Sequence, residues 1–292
     1  MEVSRARRLW LNTLAGVLLS GMLALGATLG WLKWHESDLV FETARSHTRR
    51  DGVLPAYAER IRIPEHGGTL AAVELRAAPG HDSGFWVLHL HGNADTAFSI
   101  AQLRHCEQLH AWGLNVLAFD YRGFGHTAGV ASEAHLYQDA DAAYAYLVGE
   151  GIPARRIILW GHSLGTAPAV LLASRHPAAA LVLFGAFTSI SDAAAATYPY
   201  LPVRWLVSIR MDSLQQIGRV HLPVIIAHSV SDAIIPFAEG RRLYAAANPP
   251  KYFVALPATD DDGMGGHVDA LYDQLGRLMP QLAAFTGAHL WR

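Results

Sequence analysis

Gly161-His162-Ser163-Leu164-Gly165 is the stretch of this sequence best suited to chemistry. It follows an apolar run, Ile157-Ile158-Leu159-Trp160, and precedes a stretch that reads as helix, Thr166 to Ala173. Strand, sharp G-x-S-x-G turn and helix together make the sequence form of a nucleophile elbow, whose strained turn lifts the serine hydroxyl into the open. A serine hydroxyl attacks poorly by itself: it needs a base to take its proton and an acid to orient that base. Asp232, in the loop His228-Ser229-Val230-Ser231-Asp232, and His267, after Gly263-Met264-Gly265-Gly266, are the candidates. They follow the strand-like runs Val224–Ala227 and Tyr252–Leu256, so Ser163, Asp232 and His267 are expected at one edge of a sheet. Their order, Ser then Asp then His, suits an elbow on such a sheet. Asp192 is a rival for the acid, because it follows the run Leu181–Phe184. Asp260, Asp261 and Asp262 read as a solvated loop face.

Attack on a carbonyl also requires two N–H groups aimed where the oxyanion forms. Leu164 offers one at the start of the helix after the serine, where the helix dipole assists. Asn93 offers the second from His91-Gly92-Asn93-Ala94, with Gly92 allowing a close approach. His89 and His91, two apart on a strand, would share a face, but without a carboxylate or cysteine partner they predict no metal site. No cofactor is expected either. Asp120-Tyr121-Arg122-Gly123-Phe124-Gly125 reads as a buttressed turn beside the pocket, since no phosphate-binding G-x-G-x-x-G completes there.

The elements that must position these groups alternate. Arg60–Ile63 and Leu70–Leu75 form a hairpin around His66-Gly67-Gly68. Strands are then expected at Phe85–Leu90, Asn115–Phe119, Ile157–Trp160, Leu181–Phe184, Val224–Ala227 and Tyr252–Leu256. Helices are expected at Ser99–Trp112, Glu133–Val148 with Ser132 as N-cap, Leu164–Ser174, Phe237–Ala246 and Val268–Phe285. The fold class is α/β: a mostly parallel central sheet with helices on both faces. A net charge of −2 gives no electrostatic case for nucleic acid. The single cysteine, Cys106, excludes an internal disulfide framework and reads as a packed thiol.

Residues 1–34 form a membrane address. Arg5, Arg7 and Arg8 precede an uncharged run from Leu9 to Leu32, closed by Lys33, with Trp10, Trp31 and Trp34 near its ends. About 24 residues at roughly 1.5 Å each exceed the hydrocarbon thickness of a bilayer. A retained single-pass anchor places the N-terminus in the cytoplasm and the remainder on the far side, periplasmic or extracytoplasmic. The other reading is a signal peptide cleaved near Ala24-Leu25-Gly26, which would leave a secreted protein. Residues 35–58 read as a juxtamembrane linker packing loosely on a catalytic domain, 59–292.

With His91-Gly92-Asn93-Ala94, Ser132-Glu133, Phe187-Thr188-Ser189-Ile190 and Asp232-Ala233-Ile234-Ile235-Pro236 added to the elbow and the Asp120 turn, the chain resembles the α/β-hydrolase superfamily. More narrowly it is similar to the membrane-anchored bud-emergence-like and α/β-hydrolase-domain serine hydrolases. The resemblance implies an α/β-hydrolase fold with Ser163, Asp232 and His267 as a triad, and Asn93 and Leu164 as oxyanion amides. It also implies a small cap at 191–222, where Tyr198-Pro199-Tyr200-Leu201-Pro202 and Trp205-Leu206-Val207 either receive an acyl chain or pack on the domain. Two residues depart from the pattern. Thr166 stands where a glycine is common, and Ser229 follows His228 where a His-Gly pair is usual.

The implied activity is cleavage of carboxylic esters or thioesters, with lipid or acyl substrates, through an acyl-enzyme. A small-molecule ester or acyl compound is the expected partner, and the sequence leaves the oligomeric state open. Serine aminopeptidase or acyltransferase chemistry is the alternative within enzymes, and a membrane-tethered non-catalytic scaffold is the alternative outside them.

Overall fold

The structure, a computed structural model, describes residues 2–200, 202–258, 263–267 and 274–290. The sequence hairpin is longer than its apolar runs: β1 (Ala58–Glu65) and β2 (Gly68–Leu75) pair antiparallel, Glu65 opposite Gly68. Then come β3 (Trp86–Leu90), β4 (Asn115–Phe119), β5 (Ile157–His162), β6 (Ala180–Phe184), β7 (Val224–Ser229) and β8 (Lys251–Leu256). The described strands form one sheet in the order β1-β2-β4-β3-β5-β6-β7-β8. β2 meets β4 antiparallel, and every pairing from β4 through β8 is parallel. All residues of β3 to β7 are buried, as strands covered on both faces require.

The covering helices divide between two layers. α5 (Glu133–Gly149) and α6 (Thr166–Arg175) lay Leu136, Ala143, Leu147 and Val170 against Leu88, Leu117 and Leu159. α4 (Ile100–Ala111) and a C-terminal helix (Met279–Thr286) place Leu103, Cys106, Leu109 and Leu282 against Val87, Val116 and Ile158. Ser99 and Ser132 cap α4 and α5 by accepting hydrogen bonds from the Gln102 and His135 amides. Cys106 is packed as expected, and burial together with the Glu107 charge pushes its thiol up to about 12.

Two expectations change. The helix expected over Val268–Phe285 begins outside the described residues; its described part is a 3₁₀ turn, Leu275–Arg277, followed by the helix Met279–Thr286. Pro280 lacks the N–H that a continuous helix would use, and sits instead in the first turn of the second segment. Residues 35–58 are more than a loose linker. α1 (Glu2–Trp34) is followed by α2 (Glu36–Val40) and α3 (Thr43–Ser46), with Phe41 only 1% exposed in the core. Within α1, Trp10–Trp34 is long and apolar enough to cross a membrane by length and composition, with mean hydropathy 1.7.

Three of the buried histidines, His89, His105 and His162, carry lowered proton affinities. Burial and then the charge of neighbouring histidines hold His89 well below its ordinary value, His105 down to about 3 and His162 down to about 4. Unfolding releases them to an ordinary value near 6.5. Between those limits these three groups bind more protons in the unfolded chain, so the stability they contribute is complete above about pH 6.5 and declines toward pH 4, while Asp139, whose carboxyl burial raises to about 6, acts with the opposite sign. The urea midpoint is therefore expected to be lower at pH 5 than at pH 7, with a shallower decline in His105→Phe. The same change of midpoint between the two pH values in His105→Phe as in the parent contradicts the burial of a neutral imidazole at His105.

Candidate active site

Ser163 occupies a strained position set by its neighbours. β5 ends at His162, a 3₁₀ turn covers Ser163–Gly165, and α6 begins at Thr166. Ser163 has φ of 49°, a left-handed conformation uncommon outside glycine. Both elbow glycines are required by contact. A Cβ on Gly165 would stand 2.1 Å from the Leu90 carbonyl oxygen, and one on Gly161 would stand 2.7 Å from that of Gly165. Thr166, one of the departures, donates from Oγ1 to the Ser163 carbonyl at 2.6 Å, tying the turn to the helix.

The structure brings Ser163, His267 and Asp232 together. His267 Nε2 lies 2.9 Å from Ser163 Oγ, and its Nδ1 lies 2.7 Å from Asp232 Oδ2. With Asp232 ionised, Nδ1 carries the proton and donates to the carboxylate, which leaves Nε2 free to accept from the serine hydroxyl. Asp232 Oδ1 accepts from the Ile234 and Ile235 amides at 2.9 and 2.8 Å. His228, at the end of β7, reaches the same carboxylate: its Nε2 is 3.3 Å from Asp232 Oδ2 and 2.9 Å from the Ile235 carbonyl. Burial opposes ionisation of Asp232. The bonds from His228 and His267, the His267 charge and the Ile235 amide outweigh it and hold the carboxyl well below the usual range.

The acid and histidine loops are stitched to each other. Ser229, the second departure, and Ser231 each donate to the Gly265 carbonyl at 2.8 Å. Ala233 N donates to the Met264 carbonyl at 3.1 Å. Gly265 has φ of 66°, and a Cβ there would stand 1.9 Å from the Ser231 carbonyl oxygen. Gly185, after β6, went unnoticed in the sequence; a Cβ on it would meet His267 Cε1 at 3.1 Å.

Both predicted oxyanion residues line the cleft that holds Ser163. Gly92 packs directly on the elbow, where an added Cβ would stand 3.3 Å from Ser163 Cβ and 3.1 Å from His162 Nδ1. The cleft measures about 450 Å³. Leu39, Val40, Phe187, Ile190, Ile235 and Met264 give it an apolar wall, while Glu42, Arg45, Arg49 and Asp95 stand at its polar part.

Other candidates lie elsewhere. Asp192 pairs with Arg204 at 2.9 Å and with Arg242 at 3.3 Å, rather than with His267. Asp260, Asp261 and Asp262 are outside the described residues. His89 and His91 do not share a face. The strand stops at Leu90, so His89 packs on His105 in one layer and His91 on Tyr121 and Phe124 in the other. In the Asp120 turn, the carboxylate accepts from Thr96 Oγ1 at 2.9 Å and from the Ala97 and His126 amides at 2.6 and 2.8 Å. Arg122 is paired with Asp139 at 2.7 Å. In the expected cap, α7 (Ile190–Thr197), α8 (Val203–Leu206) and α9 (Ser213–Ile217) form, and Ile190, Ala193 and Ala194 face the cleft. Tyr200 and Trp205 neither enter the cleft nor pack on the domain: they are 98% and 91% exposed. Leu201 lies outside the described residues.

A nucleophile elbow in a mostly parallel sheet, with an imidazole and a carboxylate at its carboxyl edge, defines the α/β-hydrolase fold. The family described as serine aminopeptidase, S33, matches residues 84–213. Two uncharacterised proteins of Mycobacterium tuberculosis are 36% identical over 280 and 282 residues, covering 96% of this chain and 94% of each of theirs. The lysophosphatidylserine lipase of Danio rerio is 33% identical over 183 residues, covering 56% of this chain and 48% of that protein. An esterase of Pyrococcus furiosus superposes with a TM-score of 0.64 at 19% identity, covering 82% of this chain and 97% of that one. The chain belongs to the α/β-hydrolase superfamily.

The elbow contacts yield a stability test. Gly165→Ala drives a methyl group into the Leu90 carbonyl and should cost about 3 kcal/mol. Gly218→Ala, where no atom lies within 4 Å, should change stability by less than about 0.5 kcal/mol. Thermal melts of the two variants measure the difference, and equal melting temperatures contradict the close packing at Gly165.

Proposed function

We propose that the protein is a serine hydrolase of carboxylic ester or thioester bonds, with Ser163, His267 and Asp232 as its catalytic triad. The observation that carries this reading is the continuous hydrogen-bonded line from Asp232 through His267 to Ser163 Oγ, at 2.7 and 2.9 Å. As Ser163 Oγ attacks the acyl carbon, its proton passes to His267 Nε2. The Leu164 and Asn93 amides stabilise the oxyanion. Collapse of the tetrahedral adduct breaks the bond to the leaving alcohol or thiol, which takes the proton from Nε2, and Ser163 is left acylated. Water then attacks by the same route in reverse, releasing the acid and restoring the serine. Asp232 stays ionised and stabilises the imidazolium that forms twice in the cycle.

The cleft supports an acyl substrate: its apolar wall suits a hydrocarbon chain, and its volume falls within the usual range for small-molecule sites. The relatives named as a lysophosphatidylserine lipase and as an esterase support ester chemistry. Aminopeptidase action would need a carboxylate to hold the substrate amine. The cleft carboxylates are engaged, Glu42 by Arg45 and Asp95 by Gln102 at 2.9 Å, which favours the ester reading. We further place Trp10–Trp34 across a membrane, with Arg5, Arg7 and Arg8 on the cytoplasmic side and the catalytic domain opposite.

A series of p-nitrophenyl esters tests both parts of the proposal. With the parent protein, kcat/KM should rise from acetyl to longer acyl groups by roughly fourfold per added methylene that the cleft covers. Ser163→Ala should lower kcat by about 10⁶ on every ester while staying folded. A flat series contradicts an acyl site, and full activity in Ser163→Ala contradicts the nucleophile.

A further inference from the structure

We infer that the segment following the apolar helix is a working part of the active site, acting through Asn93 and Arg49 as positioning residues for the oxyanion turn. The inference rests on the hydrolase reading above and extends it to a part of the chain that reads as a tether in the sequence.

Three hydrogen bonds carry it. The Asn93 carboxamide grips the backbone of the segment at two points: Oδ1 accepts from the Glu42 amide at 2.9 Å, and Nδ2 donates to the Val40 carbonyl at 2.8 Å. Arg49 Nε donates to the Ala94 carbonyl at 2.8 Å. Asn93 and Ala94 are the turn whose direction decides where the Asn93 N–H points. Ala94 has φ of 57°, a left-handed backbone that persists in a non-glycine residue only where its surroundings over-determine it. Here the surroundings include the segment itself. An oxyanion donor is effective only when it is fixed before the charge appears, so a turn free to relax loses rate rather than binding.

The segment is itself well fixed, as a positioning element must be. Phe41 is buried in the main core between the two gripped residues. Ser46 Oγ accepts from the Gly125 amide at 3.0 Å, and His47 Nδ1 meets the Gly125 carbonyl at 2.9 Å, which joins the segment to the buttressed Asp120 turn. At its start, the largely buried Glu36 accepts from the Ile209 amide at 2.8 Å and from Ser208 Oγ at 2.7 Å, so the cap hangs on the same piece of chain. Burial opposes ionisation of Glu36, but Lys33 and these bonds prevail and lower its carboxyl to about 2. Leu39, Val40, Glu42, Arg45 and Arg49 also line the cleft. Cap, cleft wall and oxyanion turn therefore meet on one segment that begins where the apolar helix ends.

The test uses the full chain in detergent, with Asn93→Ala, Arg49→Ala and Arg49→Lys. Each is assayed on p-nitrophenyl acetate and on an acyl trifluoromethyl ketone, which captures serine as a charged tetrahedral adduct. Asn93→Ala should lower kcat by roughly 10² while KM changes less than threefold, and should weaken the ketone by a similar factor. Arg49→Ala should move kcat and ketone affinity in the same direction, and Arg49→Lys, which keeps a donor for the Ala94 carbonyl, should recover most of the loss. If Asn93→Ala does not fold, the two Arg49 variants decide. Folded variants with kcat within threefold of the parent, or a loss expressed in KM with ketone affinity unchanged, overturn the inference. Failure of a fluorophosphonate to label Ser163 in the folded parent would instead remove the hydrolase reading itself.

Discussion

The left-handed backbone at Ser163 is held between a strand end and a helix start that almost touch. For a non-glycine residue such a conformation costs about 1–2 kcal/mol, and the neighbourhood must supply that energy. Gly161 and Gly165 do so by allowing β5, the turn and α6 to close on Leu90, and Thr166 fastens the Ser163 carbonyl from the helix side. Because β5 lies between β3 and β6 near the middle of the sheet, the turn stands on a foundation buried on both faces. The hydroxyl is then presented at one place and in one direction, and each other element of the site is placed relative to it.

Electrostatics takes over where the backbone stops. A buried carboxylate is expensive unless it is fully hydrogen-bonded, and Asp232 is surrounded by two amides and two imidazoles. The His228 Nε2–H can reach either the carboxylate or the Ile235 carbonyl, so the acid loop is closed on itself by contacts that do not involve His267. Ser229 and Ser231 then bind the histidine loop through a single carbonyl, that of Gly265. The residue at 229 that departs from the usual glycine thus contributes a hydroxyl to the junction. Imidazole, carboxylate and hydroxyl come from three loops, and these stitches keep their separation from drifting.

Much of this was legible because it is local. The elbow is five consecutive residues, the parallel strands are short apolar runs between polar stretches, and Ser132 precedes a helical period. Asp232 and His267 could be named because strand ends in such a sheet converge at one edge. What escaped depends on partners distant in sequence. Glu36 falls in the stretch read as a linker and Glu133 at the start of a helix, yet each accepts from cap backbone amides, Glu36 at Ile209 and Glu133 at Met211, both at 2.8 Å. Residues 35–58 show no period because their order comes from single anchoring side chains such as Phe41 rather than from an amphipathic face. Tyr200 and Trp205 misled in the opposite direction: apolar character suggested contact with a substrate or the core, and both point to solvent. At Leu275–Met279 the buried positions keep a helical spacing, and only Pro280 reveals the break.

Reaction with an ester should leave a covalent trace at the turn described above. Rapid mixing with a p-nitrophenyl ester, acid quench and peptide mass spectrometry would locate any acyl group on the chain. The account predicts a p-nitrophenol burst approaching one equivalent and the acyl mass on Ser163 alone, with neither in Ser163→Ala. An acyl group on another residue, or hydrolysis by folded protein with no adduct at Ser163 under burst conditions, would contradict it.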